Sequence, residues 1–122
     1  MDKSTGAVQR QFDLSSGSNP LGAAFDPGLQ ELHVLSNDPD VVRTYTTGGV
    51  LLRSTRADGL ATTPIGLDLD PATGEFLLVD VNAKVIQRVD ASYTRHIPAP
   101  GQPHGVTYDP SSDALWYVSL SP

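Results

Sequence analysis

The chain has 122 residues with 14 acidic and 8 basic side chains, a formal net charge of -6, and the length of one ordinary domain. The basic residues are scattered singly between Lys3 and Arg95, so the clustered basic patch of a nucleic-acid binder is missing and no nucleic-acid partner is expected. The chain has no cysteine, which excludes disulfides, thiolate zinc sites and a cysteine nucleophile. Its apolar runs are short and no signal peptide is visible, so no membrane partner is expected; the compartment stays open, export of a longer protein included.

The first element expected in chain order is an outer strand within residues 1–19. Residues 5–10, TGAVQR, are similar to residues 47–52, TGGVLL, which lead into a predicted fourth strand. The chain is therefore predicted to begin on the fourth strand of a preceding unit.

From Pro20 onward, a motif with proline, glycine and an Asp-Pro pair at fixed spacing occurs three times. The copies are PLGAAFDP at 20–27, PIGLDLDP at 64–71 and PHGVTYDP at 103–110, at offsets of 44 and 39 residues. Apolar residues alternate within the motif, as at Ile65, Leu67 and Leu69, which is the period of a β-strand. The Asp-Pro pair then favours a tight turn, because proline presets φ and the carboxylate accepts local backbone N–H groups.

Each copy is expected to continue into further strands. The more continuous apolar runs at 31–36, 75–80 and 114–119 are typical of inner strands that are covered on both faces. Third strands are expected to begin near Val41 and Val85, and fourth strands near Val50 and Tyr93. Four antiparallel strands in each unit of about 40 residues are typical of a β-propeller blade.

The predicted fold is therefore all-β: a single, incomplete β-propeller over residues 1–122. Its expected parts are the outer strand of a preceding blade at 1–19, blades at 20–62 and 63–101, and the first half of a further blade at 102–122. Closed propellers contain about four to eight blades, so these parts do not close a ring. We expect a fragment of a larger propeller; the alternatives are a chain seen apart from its neighbours and a chain completed by a second polypeptide.

The motif P-x-G-h-x-h-D-P resembles the six- or seven-bladed propellers of the NHL, SMP-30/gluconolactonase and streptogramin (virginiamycin B) lyase type. PHGV at 103–106 and ALWY at 114–117 are similar to the P-H-G-I and A-L-W-F stretches of the lyase family. DVNAKVI at 80–86 resembles the NHL stretch D-x-x-N-x-R-I with one residue fewer. The resemblance implies that ligands bind at one face near the axis, on the loops before each first strand and between each second and third strand.

His104 is the first candidate at that face. An imidazole acts as a general base or acid near neutral pH, and the resemblance to the lyases implies such a group there. His104 also occupies the position of Leu21 and Ile65 in the repeat. The other interpretation, which the residues favour, is therefore a packed histidine whose ring is satisfied by a neighbouring backbone group.

Asp80 and Asn82 are the second candidate. They offer oxygen ligands two positions apart and, with Asn37 or Asp38, could bind a hard divalent cation such as Ca²⁺. The favoured alternative is an Asx turn, in which these side chains bond the local backbone.

Other charged residues are expected to be structural. Glu31 and Glu75 are expected in hairpin turns at the opposite face, which disfavours the glutamate-ligated metal site that the gluconolactonase resemblance implies. The recurring Asp26, Asp70 and Asp109 are expected to be turn residues. The arginines of the third and fourth strands, Arg43, Arg53, Arg56, Arg88 and Arg95, are expected to solvate the rim.

Two functions follow as hypotheses. The first is a non-catalytic propeller segment that acts as a binding scaffold for a protein or a small ligand, since a fold alone does not confer chemistry. The second is an enzyme of the streptogramin-lyase or lactonase kind, with His104 as acid or base and an oxygen-ligated cation. In either case the expected partners include the remaining blades of a larger chain or a second copy.

Overall fold

A computed structural model describes residues 2–9, 11–14, 19–36, 41–56, 64–89 and 94–120. These residues form ten β-strands and no helix. In chain order the strands are β1 (Pro20–Asp26), β2 (Glu31–Ser36), β3 (Val41–Thr46), β4 (Leu51–Arg56), β5 (Pro64–Asp70), β6 (Glu75–Asp80), β7 (Val85–Val89), β8 (Thr94–Pro98), β9 (Pro103–Asp109) and β10 (Ala114–Ser119). Within this part of the chain no helix is long and apolar enough to cross a membrane.

The strands form three antiparallel sheets, each a meander of consecutive strands. Two sheets have four strands, β1 to β4 and β5 to β8, and the third contains β9 and β10. Each sheet has the connectivity of a propeller blade, in which the first strand is innermost and the later strands step outward. The predicted all-β fold with an incomplete propeller is confirmed.

The Asp-Pro pairs close the hairpin between the first two strands of each sheet. The Asp26 carboxylate accepts hydrogen bonds from the backbone N–H groups of Gly28 and Leu29, at 2.8 and 3.2 Å. Asp70 and Asp109 accept equivalent bonds, from Ala72 at 3.0 Å and Ser111 at 2.9 Å. These aspartates are turn residues, as the sequence predicts, because each carboxylate replaces a missing backbone acceptor.

The sheets stack face to face, and each covers the one before it. Leu35 and Val42 of the first sheet are buried against Leu69, Phe76 and Leu78 of the second. In the same way, Val79 and Ile86 of the second sheet pack against Val106 and Leu115 of the third. The core is therefore divided into layers between neighbouring sheets, as it is between the blades of a propeller.

The glycine of the repeated motif lies where two innermost strands approach closely. A Cβ atom at Gly66 would lie only 3.0 Å from the backbone oxygen of His104. Such a contact is too tight for any residue with a side chain unless one strand moves. Gly66 thus sets the spacing between β5 and β9.

The N-terminal segment is described at residues 2–9 and 11–14, which form no strand. The outer strand of a preceding blade that is expected within residues 1–19 stays a prediction, because residues 10 and 15–18 lie outside the described ranges. The Phe12 ring lies 5.7 Å from the Tyr45 ring, against the first sheet.

Candidate functional site

The predicted ligand face corresponds to one end of the three sheets, which we call the candidate face. It contains the first residue of each innermost strand and the last residue of its partner, and three pairs in register mark it: Pro20 with Ser36, Pro64 with Asp80, and Pro103 with Ser119. The three sheets present the same edge to this face because the hairpin turns with the Asp-Pro pairs all lie at the other end.

A β-bulge recurs at the candidate face in every sheet. The pairing skips one residue between Pro20 and Gly22, and again between Pro64 and Gly66. In the third sheet Pro103 pairs with Ser119 and Gly105 with Val118, so the skipped residue is His104. A bulge bends its strand and redirects the side chain of the extra residue, and bulges are common beside active sites.

His104 is held at the bulge by a local hydrogen bond. Its Nδ1 lies 2.8 Å from the carbonyl oxygen of Gln102. A carbonyl oxygen only accepts hydrogen bonds, so Nδ1 carries the proton in this contact. In the neutral ring Nε2 is then the unprotonated, basic nitrogen. The ring therefore makes the backbone contact that is expected of a packed histidine. It is also only half-buried, so Nε2 is accessible as a base.

Gln102, which the sequence analysis does not single out, anchors this arrangement. Its carbonyl oxygen also accepts a hydrogen bond from the N–H of Leu120 at 3.1 Å. Its own N–H donates to the hydroxyl oxygen of Ser119 at 2.9 Å. The carbonyl group that orients His104 is therefore fixed to the end of β10. The sequence could have pointed to Gln102 by its position alone, because it directly precedes Pro103, the first residue of the repeated motif.

Asp80 is completely buried at the end of β6 and shapes the following loop. Its Oδ1 atom accepts hydrogen bonds from the backbone N–H groups of Asn82 and Ala83, at 3.0 and 2.9 Å. This is the Asx turn that the sequence offered as the alternative to a metal site. Lys84 closes the loop with an N–H bond to the Asp80 carbonyl oxygen at 2.9 Å.

Two of the predicted metal ligands, Asn37 and Asp38, lie outside the described residues. Within the described ranges no group of three or more histidine, cysteine, aspartate or glutamate side chains could hold a metal ion. The structure brings Asp80 and Asn82 together through a backbone bond, and it places His104 at the same face on the neighbouring sheet.

A cluster of charged side chains lies at the opposite end of the second sheet. The Arg88 guanidinium is 2.7 Å from Glu75 Oε1 and 3.2 Å from Asp70 Oδ2, and both carboxylates are nearly inaccessible to solvent. Arg95 lies 3.5 Å from the other Glu75 oxygen. The expectation that Arg88 merely solvates the rim is wrong, because its side chain neutralises two buried acids.

Two groups near the Asp-Pro turn of the third sheet have strongly perturbed pKa values. A hydrogen bond from Tyr108 to the Asp113 carboxylate raises the pKa of Tyr108 to about 12. Hydrogen bonds from the side chains of Ser111 and Ser112 lower the pKa of Asp109 to about 2. Both shifts arise from local turn contacts, at the end of the sheet away from His104.

The fold and the repeated face define the class of protein: these are consecutive blades of a β-propeller. No protein-family model matches the chain, and no curated protein matches its sequence. Similar proteins are found among solved structures.

Three solved structures illustrate the similarity. Virginiamycin B lyase from Staphylococcus aureus superposes with a TM-score of 0.70 at 19% identity, over 92% of this chain and 39% of that one. A gluconolactonase from Xanthomonas campestris gives a TM-score of 0.65 at 20% identity, over 87% and 36%. A hydrazine synthase from Kuenenia stuttgartiensis gives 0.70 at 12% identity, over 93% and 33%. The chain thus has the fold of propellers of the lyase and gluconolactonase type and spans between 33% and 39% of their lengths.

Proposed function

We propose that this chain supplies blades of a β-propeller that binds a protein or a small molecule at the candidate face. The observation that carries the proposal is the use of Asp80. Its buried carboxylate accepts two backbone N–H groups of the loop after β6 and so holds that loop in a fixed shape. A preshaped loop at this face is suited to recognition, since ordering costs are lower on binding.

A closed propeller has about four to eight blades. The described residues of this chain form ten strands in three sheets, which is fewer than a closed ring needs. We propose that further blades, from a longer polypeptide or from a second copy, complete the body around the candidate face.

The scaffold proposal is tested by titrating the isotopically labelled chain with three separate probes: Ca²⁺, gluconolactone and virginiamycin B. We expect amide signals to shift at residues 81–84 and at Gln102, His104 and Gly105 with at least one probe. Asn82→Ala should weaken that response, whereas the control Ser112→Ala, at the opposite end, should not. Shifts confined to the turns 71–74 and 110–113, or none with any probe, would contradict the proposal.

A second function, a propeller enzyme, is favoured by one specific observation. The contact between His104 Nδ1 and the Gln102 carbonyl oxygen leaves Nε2 as the basic nitrogen, which suits a general base near neutral pH. Two of the similar structures are named as a virginiamycin B lyase and a gluconolactonase. A related activity would use His104 as acid or base, with a divalent cation such as Ca²⁺ held partly by Asp80 and Asn82.

The enzyme hypothesis is tested by measuring whether two of these probes are turned over. Turnover of gluconolactone or virginiamycin B by the full-length protein should fall by about 10²-fold or more in His104→Ala, the typical loss of a general base. The control His96→Ala removes an exposed imidazole of β8 and should leave turnover unchanged. Probe binding without turnover, equal in wild type and His104→Ala, would favour the scaffold.

A further inference from the structure

The outward surface of the third sheet exposes large apolar side chains. Trp116 and Val118 are 63% and 65% exposed. With Gly105 and Thr107 they line an open groove of about 330 Å³. We call these four residues the tail face. Exposed apolar patches of this kind usually mark interaction sites.

The repeat itself indicates what covers such a surface. Trp116 and Val118 stand at the positions that His33 and Leu35 occupy in the first repeat and that Leu77 and Val79 occupy in the second. All four equivalent residues are at most 2% exposed, because the next sheet packs on them. Leu35 contacts Leu69, Phe76 and Leu78, and the His33 ring lies 4.8 Å from the Phe76 ring. The tail face thus corresponds to the surface on which the next sheet packs in the first two repeats.

The matching surface is exposed at the other end of the chain. Phe25 of β1 is 46% exposed, and with Ala23 it forms what we call the head face. Their equivalents in the second repeat are Leu69 and Leu67, which pack in the cluster shared with the first sheet. Leu69 is only 7% exposed because it packs on the first sheet.

The close approach of innermost strands also indicates that the tail face matches the head face. At Gly22 an added Cβ would meet Leu67 of the next sheet at 3.7 Å, whereas at Gly105 it would meet only Val118 of its own sheet. The space beside Gly105 therefore corresponds to the space that Leu67 fills beside Gly22. In a second copy the residue equivalent to Leu67 is Ala23, in the head face.

We propose that the tail face of one chain binds the head face of a second copy, by the packing that joins consecutive sheets within the chain. The contact is heterologous, so each copy uses two different surfaces, and it closes into a ring if the rotation allows. Two copies contribute four four-stranded and two two-stranded sheets, which lies within the about four to eight blades of known rings. The inference concerns assembly and is independent of which ligand the candidate face binds.

The single tryptophan of the sequence, Trp116, reports the association directly. We expect its emission to shift to shorter wavelength as the chain is concentrated, while light scattering shows the mass rising from 12.9 kDa toward twice that value. A mass that stays at 12.9 kDa, with unshifted emission at every concentration, would overturn the proposal and leave a blade of a longer polypeptide as the occupant.

Complementation distinguishes head-to-tail binding from other modes. Val118→Asp blocks the tail face and Phe25→Asp blocks the head face; both positions are exposed, so each variant should fold with an unchanged circular dichroism spectrum. Each variant alone should be monomeric, whereas an equimolar mixture should form a mixed dimer, because it contains one intact face of each kind. The control Leu52→Asp, on the outer strand β4, should dimerise like the wild type. Dimers of Phe25→Asp alone, or no complex in the mixture, would overturn the proposal.

Discussion

The backbone N–H of Tyr108 donates a hydrogen bond of 2.7 Å to the Asp68 carboxylate, across the boundary between the second and third sheets. The donor lies on β9 and the acceptor on β5, so the bond ties together two innermost strands. A hydrogen bond to a charged group typically contributes about 1.5–3 kcal/mol. Because a hydrogen bond is directional and apolar packing is not, this bond helps to fix the position of β9 relative to β5.

Asp68→Ala should therefore loosen the third sheet, lowering the free energy of unfolding by about 1–3 kcal/mol, because the Tyr108 N–H loses its partner. Hydrogen exchange should show the Tyr108 amide losing more protection than amides of the first sheet. Asp68→Asn keeps an acceptor oxygen and should lose less. Unchanged protection of the Tyr108 amide in Asp68→Ala would refute this role.

Gly66→Ala should be more disruptive than Gly22→Ala, although both glycines occupy the same repeat position. The new Cβ would lie 3.0 Å from the His104 carbonyl oxygen in the first case and 3.7 Å from Leu67 in the second. A backbone atom cannot move aside as a side chain can, so we expect Gly66→Ala to cost about 1–3 kcal/mol in urea unfolding. Gly22→Ala should stay within about 0.5 kcal/mol, and equal losses would argue against the close approach.

Arg88→Met should destabilise the fold far more than Arg53→Met. Removing Arg88 takes the guanidinium away from the buried Asp70 carboxylate and leaves the more distant Arg95, at 3.5 Å, beside Glu75; breaking a buried ion pair typically costs about 3–5 kcal/mol. Arg53 pairs with Glu31 at 2.7 Å, but its side chain is 49% exposed, and such pairs contribute about 0–1 kcal/mol. Thermal and urea unfolding of the two variants make the comparison. A similar loss in both would mean that the Arg88 cluster is solvated.

Acidification should destabilise the protein through His33. Burial lowers the pKa of His33 below its usual 6.5, and the ring is held neutral beside Thr44 at 2.8 Å. Because the unfolded chain takes up the proton first, this contribution is present above about pH 6.5 and is lost as the pH falls through the lower folded value.

The measurement is the free energy of unfolding from about pH 8 down to about pH 5, the range in which histidine titrates. His33→Leu introduces leucine, the residue that the second repeat has at the equivalent position, Leu77. The free energy of unfolding of this variant should depend less on pH than that of the wild type. The matched control His96→Leu, at an exposed position on β8, should keep the wild-type slope. A wild-type slope in His33→Leu would show that other groups carry the effect.

The strands could be predicted because local sequence determines them. Alternating apolar residues and an Asp-Pro pair at fixed spacing specify a hairpin without reference to the rest of the chain, and the third strands begin at Val41 and Val85 as predicted. The layered core follows as well, since continuous apolar strands such as β6 must be covered on both faces.

The features that the sequence did not reveal depend on register and on neighbouring sheets. The bulge at His104 is visible only from the pairing of β9 with β10. Arg53 lies on the outer strand β4 and Arg88 on the third strand β7, and their side chains are 49% and 21% exposed.

The stacking of each sheet on its successor has a consequence for synthesis. Leu35 leaves the ribosome one repeat of 44 residues before Val79, so the sheet that will cover it is still incomplete when it emerges. Translation adds about 5–20 residues per second, so the apolar side of the nascent first blade is exposed to water for roughly two to nine seconds before the next repeat is complete. Chaperone capture during translation should therefore concentrate on that side and move forward along the chain, one blade behind the growing end.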